Sequence, residues 1–277
     1  MEKTINPLQD LTDPSLPAAI ERNFAEEMIS FGRGLSGGEV HEDADLLWFF
    51  TGRAHLNGIL LTHFAQDDKT YIDAKIEETL SYFKKRQVDV GWSVGPSTQP
   101  ADLADHLEEH GFLYGIDTIG MAVAIQSIHE NVHTSSALSI REVQDNETLL
   151  HLRDIEAQGF GGTPEIAQTY YDAYVGVGFG KDAAWHHYIG YLDGKAVAIT
   201  SLLLYAGVAG IYGVATIPEA RRQGIGATMT LHALHAARTF DYHISVLSPS
   251  EMGQGIYERL GFREYCRISH YGWSSAS

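Results

Sequence analysis

The chain has 277 residues, 44% of them hydrophobic and 20% charged with only 8 prolines, which excludes a disordered or collagen-like polymer and leaves room for two domains of about 100 to 150 residues. Asp and Glu number 36 against 19 Lys and Arg, a formal net charge of -17, which opposes binding to nucleic acid or anionic membrane and favours a cationic partner. The single cysteine, Cys266, excludes an internal disulfide framework and a cysteine-rich zinc site, and it suits a reducing compartment.

The N-terminus, MEKTINPLQDLTDPSLPAAIERNF, has acidic residues and prolines where a secretory signal needs a basic stretch and an apolar core, so a cytoplasmic protein is expected. Pro14 and Ser15 precede an amphipathic helix around residues 19–29. Trp48, Phe49 and Phe50 read as strand residues, with core packing the first expectation and a substrate-cleft wall the second. Residues 72–85 have helical composition. Val88, Val90, Trp92 and Val94 then alternate as a strand does, with Trp92 weighed as the other aromatics are. A Pro/Ser loop, a short helix stopped by Gly111-Phe112 and a β-like stretch over residues 116–125 follow.

Residues 126–137, QSIHENVHTSSA, are polar and place the domain boundary near residue 135, giving domains 1–135 and 136–277. A strand over 138–143 opens the second, and Asp145-Asn146 caps a helix carrying Leu149, Leu150, Leu152 and Ile155. Another helix, over 165–175, presents Tyr170, Tyr171 and Tyr174 to a cleft or to the core. Asp193-Gly194 marks a hairpin turn between runs 188–192 and 196–204. Residues 196–217 are uncharged and long enough to span a membrane, but glycines at 207, 210 and 213 divide them into two buried strands instead.

Ser93-Val94-Gly95-Pro96-Ser97 followed by Leu107-Glu108-Glu109-His110-Gly111-Phe112 is echoed about 150 residues later by Ser245 to Ser250 followed by Tyr257-Glu258-Arg259-Leu260-Gly261-Phe262. A long period seen only twice predicts two similar mixed α/β domains, each a twisted mixed sheet flanked by helices, and not a solenoid. Between the repeats lies the most informative stretch. An apolar strand over 211–216 bends at Pro218 into Arg221-Arg222-Gln223-Gly224-Ile225-Gly226-Ala227, and residues 228–238 continue as a helix. A strand, glycine loop and helix in this order gather backbone N–H groups at a helix N-terminus, where a phosphate is held.

Arg221-x-x-Gly224-x-Gly226 resembles the acyl-coenzyme A pyrophosphate motif of the GNAT superfamily of N-acyltransferases. Tyr257-Glu258-Arg259-Leu260-Gly261-Phe262, about 30 residues on, resembles that superfamily's second signature, Tyr-x-x-Leu-Gly-Phe. The resemblance covers roughly residues 138 to 275, while the first half matches only in outline. It lacks Arg-x-x-Gly-x-Gly and has no tyrosine at the place of Tyr257, so it reads as a degenerate copy that walls the substrate cleft, a plan similar to tandem GNAT proteins such as mycothiol synthases.

The resemblance implies a sheet splayed between parallel strands at 211–216 and 243–247, with acetyl-CoA as co-substrate in the gap of the second domain. Backbone groups of Val214, Ala215 and Thr216 would then pair with the pantetheine arm. The N–H groups of Arg222, Gln223, Gly224, Ile225, Gly226 and Ala227 would hold the pyrophosphate, with the charges of Arg221 and Arg222 beside it. Tyr257 stands where the family places its general acid, able to protonate the departing thiolate after a neutral amine attacks the thioester. Ser250 replaces the Asn common before the second signature and keeps a hydroxyl for the coenzyme.

No carboxylate lies between residues 211 and 217, where many relatives carry their base. A water relay or no enzyme base stays open, and Glu251 and His243 are the nearest titratable candidates by sequence. Fourteen histidines are present without His-Glu-x-x-His, and the chemistry calls for no metal. The function implied is acetyl transfer to a primary amine of a small, cationic metabolite or antibiotic, by a monomeric pseudo-dimer of domains or a homodimer. A protein lysine or N-terminal acetyltransferase, or a non-catalytic acyl-CoA-binding regulatory module, are the alternatives.

Overall fold

The computed structural model describes residues 6–133 and 135–275. The first half runs α1 (Leu16–Gly34), β1 (Glu39–Glu42), β2 (Leu46–Phe50), β3 (Gly58–Thr62), α2 (Lys69–Arg86), β4 (Val90–Val94), α3 (Leu103–Glu109) and β5 (Leu113–Ala124). The second runs β6 (Leu138–Glu142), α4 (Asn146–Phe160), α5 (Pro164–Val177), β7 (Trp185–Leu192), β8 (Lys195–Tyr205), β9 (Val208–Thr216), α6 (Ile225–Thr239), β10 (Ile244–Leu247), α7 (Gln254–Leu260) and β11 (Arg263–Trp273). The mixed α/β class and the repeated order of elements are as the sequence predicts.

Local chemistry accounts for most boundaries. The Asp145 carboxylate accepts the Thr148 N–H at 2.7 Å and starts α4, and Thr163 with Pro164 starts α5. The uncharged run 196–217 is the β8–β9 hairpin turning at Ala206-Gly207, and among the described residues no helix is long and apolar enough to cross a membrane. α1 outruns its predicted span at both ends. Among its added residues Leu16, Ser30, Phe31 and Gly32 are buried, so tertiary packing extends the helix beyond its clearest amphipathic stretch.

The two half-sheets are fused into one, in the order β1-β2-β3-β4-β11-β5-β10-β9-β8-β7-β6. The terminal strand of each half crosses to the other. β5 pairs antiparallel with β10 through Ala124↔Ile244 to Met121↔Leu247, while β11 lies between β5 and β4, with Ser269 opposite Val94 and Trp273 opposite Val90. Both terminal strands are long, β5 of 12 residues and β11 of 11, and their own sequences carry no instruction about which neighbour to take.

α1 crosses between halves as well. The Asn23 amide donates to the carbonyls of Tyr205 at 2.9 Å and Val208 at 3.3 Å, and the Tyr212 phenol donates to Asn23 Oδ1 at 2.7 Å. Further along, the Trp185 indole donates to Ser30 Oγ at 3.0 Å, and α1 meets α5 so closely that a Cβ on Gly176 would collide with the Gly34 carbonyl. A helix encoded in the first half is thus seated on the sheet of the second.

Candidate active site

β9 and β10 pair in parallel only from Ala209↔Ser245 to Ile211↔Leu247. Beyond that the strands part, as predicted, and a cavity of about 380 Å³ opens between Ile211 to Val214 on one side and Ser248, Ser250 and Tyr257 on the other. β9 also breaks from its other neighbour here. Tyr212 pairs with Ser201 and Ala215 with Ile199, so Gly213 and Val214 together face Thr200 alone. This bulge needs a left-handed residue, and Gly213, at φ +57°, supplies it without a Cβ penalty. Backbone polar groups of the bulge are thereby turned away from the ladder at the mouth of the gap.

At the far end of β9 the glycine loop enters α6. Gly224 is the N-cap, left-handed at φ +76° and without any side-chain cap. The Thr228 N–H reaches the Gly224 carbonyl at 3.1 Å, so the N–H groups of Ile225, Gly226 and Ala227 are left at the helix start. Space for an anion is present, since the nearest atom to a Cβ on Gly226 would be Thr216 Oγ1, 4.0 Å away. Arg222 and Gln223 are exposed, whereas Ile225 is buried and offers only its N–H. The Arg221 side chain is engaged within the protein: Nε donates to the Thr216 carbonyl at 3.1 Å and Nη2 to the Gly159 carbonyl at 2.6 Å, tying the loop to β9 and α4. Its charge stays beside the loop while those donors are taken.

Ser250 lies at the cavity rim, where Oγ accepts the Gly253 N–H at 3.2 Å and leaves its own proton free to donate. Tyr257 lies on α7, its ring centroid 6.0 Å from that of Phe262, and its phenol lines the cavity wall. Burial pushes that phenol up to about 12, so it holds its proton at neutral pH and can give it away.

Two acidic side chains that sequence reasoning missed complete the lining. Glu27 comes from α1 and Glu156 from α4. Glu156 is only 8% exposed and its Oε2 has no hydrogen-bond partner. Burial pushes both carboxyls up to about 8, and the neighbouring Glu27 charge adds to the rise at Glu156. Phenols of Tyr170, Tyr174 and Tyr212 surround them, all raised by burial and therefore neutral. A signal existed in the sequence: Glu156 stands seven residues after Leu149 and four after Leu152, on the apolar stripe of its own helix, where a solvated glutamate does not belong.

The other candidates lie elsewhere. Glu251 is exposed, His243 faces Asp241 at 3.7 Å, and neither lines the cavity. Of the three α5 tyrosines, Tyr170 and Tyr174 face it while the Tyr171 phenol donates to the Asn146 carbonyl. Phe49 and Trp92 are core residues, and Trp48 stacks on His41 at 3.8 Å. Phe50, at 6.0 Å from the Tyr82 ring, also packs in the first half. His187 shares a 2.7 Å hydrogen bond with Ser201, and burial holds its imidazole down at about 3, neutral and structural. Among the described residues, Asp73, His106 and Glu109 could reach one metal ion, but the Lys69 ammonium already pairs with both carboxylates there, outside the cavity.

The model of the Acetyltransferase (GNAT) family matches residues 149–262, a span holding the bulge, the glycine loop, the strand gap and Tyr257. Residues 149–262 are a GNAT acetyltransferase domain. The GNAT family performs acyl-CoA-dependent acetyl transfer, and the chain carries an acyltransferase domain of that kind. Solved structures resemble it well beyond the GNAT domain itself. A GCN5-related N-acetyltransferase from Kribbella flavida shares 19% identity at TM-score 0.70, covering 92% of this chain and 95% of its own. One from Sphaerobacter thermophilus shares 15% at 0.65, covering 94% and 90%. A tandem GNAT protein from the clavulanic acid biosynthesis pathway shares 13% at 0.65, covering 98% of both chains. At these identities the likeness is one of fold, and it extends the GNAT architecture to the first half. No curated protein sequence matches the chain.

Proposed function

We propose that the chain, with domains 1–135 and 136–277, is an acetyl-CoA-dependent N-acetyltransferase whose acceptor is the primary amine of a small cationic molecule. One observation carries the reading: the cavity at the strand gap joins a protonated phenol, Tyr257, to two carboxyls, Glu27 and Glu156, and among the described residues no Lys, Arg or His lines it. Such walls offer an ammonium hydrogen-bond acceptors and a carboxyl to ionise beside it, and offer an anion no cation to pair with.

Acetyl-CoA supplies the acetyl thioester when bound. Its fit is supported by the open N–H groups at the start of α6, the room beside Gly226, and the bulged backbone of β9. The N–H groups of Arg222 to Ala227 hold the pyrophosphate, with the Arg221 and Arg222 charges beside them. Val214, Ala215 and Thr216 present backbone groups to the pantetheine amides as an added strand would, and the Ser250 hydroxyl donates to the coenzyme. N–H groups of the bulge stabilise charge developing on the thioester oxygen. Tyr257 gives its proton to the departing sulfur, which needs a donor at that atom.

Calorimetric titration with acetyl-CoA, followed on the same sample by free-thiol release across small amines, lysine peptides and anionic controls, tests the proposal. Binding with thiol release confined to small cationic amines is the expected result. Absence of binding would sink the coenzyme assignment, and release only with peptides would move the acceptor class to proteins.

A further inference from the structure

We propose that Glu27 and Glu156 work as one proton-sharing pair that takes the acceptor's ammonium proton, so that the half without a coenzyme cleft supplies part of the base for the half that has one. The inference rests on reading the cavity as the site of acetyl transfer.

Both carboxyls face one cavity from helices of opposite halves, α1 and α4. Neither position is loose. Asn23, one turn before Glu27, is fixed to the carbonyls of the β8–β9 turn, and Ser30, three residues after it, receives the Trp185 indole N–H. On α4, Gly159 lies so near β9 that a Cβ there would press on Ala215, holding Glu156 at the rear of the bulge. The titratable groups that face the pair are phenols: Tyr170 and Tyr174 from α5, Tyr212 from β9 and Tyr257 from α7. With no cation among them, ionising one carboxyl raises the cost of ionising the other, so the pair, largely protonated at neutral pH, loses its protons in coupled steps and the first step lies near the working range. The unpartnered Oε2 of Glu156 is the acceptor that such a site leaves for a ligand's N–H.

In its singly ionised form the pair takes one proton from an entering ammonium, which frees the nitrogen lone pair, and the pair then passes that proton on to solvent. Nitrogen then bonds to the thioester carbon, and the carbon–sulfur bond breaks with its electrons going to sulfur. Sulfur takes the Tyr257 proton, and the second proton shed by nitrogen restores the phenol. One proton is released per amide formed. A base titrating near the working pH suits this task, because it is partly ionised and still accepts a proton readily.

The test combines infrared titration of the carboxyl band with kinetics, on the wild type, Glu27→Gln, Glu156→Gln and the double variant. In the wild type without ligands, a protonated buried carboxyl should persist above pH 7, and each single variant should move the remaining carboxyl's titration to lower pH, because its charged neighbour is gone. With acetyl-CoA and an accepting amine, each single variant should lose about 10²-fold in turnover and the double variant scarcely more, as expected of groups acting as a unit. Acetyl-CoA affinity should be unchanged throughout. Independent titration of the two carboxyls, multiplicative losses in the double variant, or a raised KM with intact turnover would each overturn the pair. A wild type that shows the shared proton yet binds no acetyl-CoA would overturn the functional reading and leave the coupled carboxyls standing.

Discussion

The two halves build the same strand, loop, helix and strand, yet only one leaves a cleft. In the second, the β9–β10 ladder stops at Ile211 and Leu247 and the strands part. In the first, the equivalent β3–β4 ladder pairs Gly58 with Gly91 and Ile59 with Trp92, and then Gln99 closes the opening: its N–H reaches the Thr62 carbonyl at 3.0 Å and its carbonyl receives the Phe64 N–H at 3.0 Å. Trp92 fills the space beneath, donating to Thr62 Oγ1 at 2.9 Å. The helix starts differ in the same sense. α2 is capped by its own Asp68, whose carboxylate accepts the Tyr71 N–H, whereas α6 begins at Gly224 with no side-chain cap. An open cleft in this fold is a matter of what the chain leaves unfilled: a gap and a set of helix N–H groups that the first half satisfies from within.

That contrast can be broken at several points. The largest effect is expected at the one phenol the first half lacks: Tyr257→Phe should lower turnover by about 10²- to 10⁴-fold with acetyl-CoA affinity nearly unchanged, and equal turnover in a steady-state assay would remove it as the acid. Next, Gly224→Asp would give α6 the self-capping carboxylate that α2 already has. Coenzyme affinity by calorimetry should fall by roughly 10- to 100-fold, because a fixed negative charge meets the pyrophosphate at the helix start.

Stability against pH sharpens the role of the buried acids. Glu156 is protonated up to about pH 8 in the fold against a reference of 4.5, so the folded state holds a proton that the unfolded chain loses between those values. Its contribution is fully present at low pH and is lost as pH rises through that window. Glu156→Gln should therefore gain on the wild type between pH 5 and 9 by on the order of 4 kcal/mol, read from thermal melts across pH; a constant difference would exclude the raised carboxyl. Trp48→Ala should cost about 1–2 kcal/mol through lost packing on His41 and Tyr82 and leave amine affinity as it was, and a raised KM would return Trp48 to the cleft. Smallest of all, Asp68→Gly should cost a few tenths of a kcal/mol and leave a single coenzyme bound per chain, since Gln99 still closes the first gap. A second binding event would show that the cap alone had silenced that half.

Much of this was legible in the residues. Arg221-x-x-Gly224-x-Gly226 and Tyr257 to Phe262 marked the loop, helix start and α7, because those glycines act on backbone within a few residues of themselves. Asp193-Gly194 and Ala206-Gly207 marked their hairpins for the same reason. Arg221 was legible in place but not in partners, since the Gly159 carbonyl that holds it comes from another element. Glu27 and Glu156 were passed over because a carboxylate's environment is set by the helices around it; each looks solvated until α1 is seated on the second half.

The sequence by itself determined the class of fold, the repeat, the glycine loop before α6 and the place of the Tyr257 phenol, all written in spacings that local backbone geometry enforces. Tertiary structure alone decided that β5 and β11 exchange halves, that Gln99 shuts one gap while the other stays open, and that two acids 129 positions apart share a cavity. The physical reason is that pairing, closure and desolvation depend on neighbours distant in the chain, and a strand or a carboxylate carries no local mark of which neighbour it will meet.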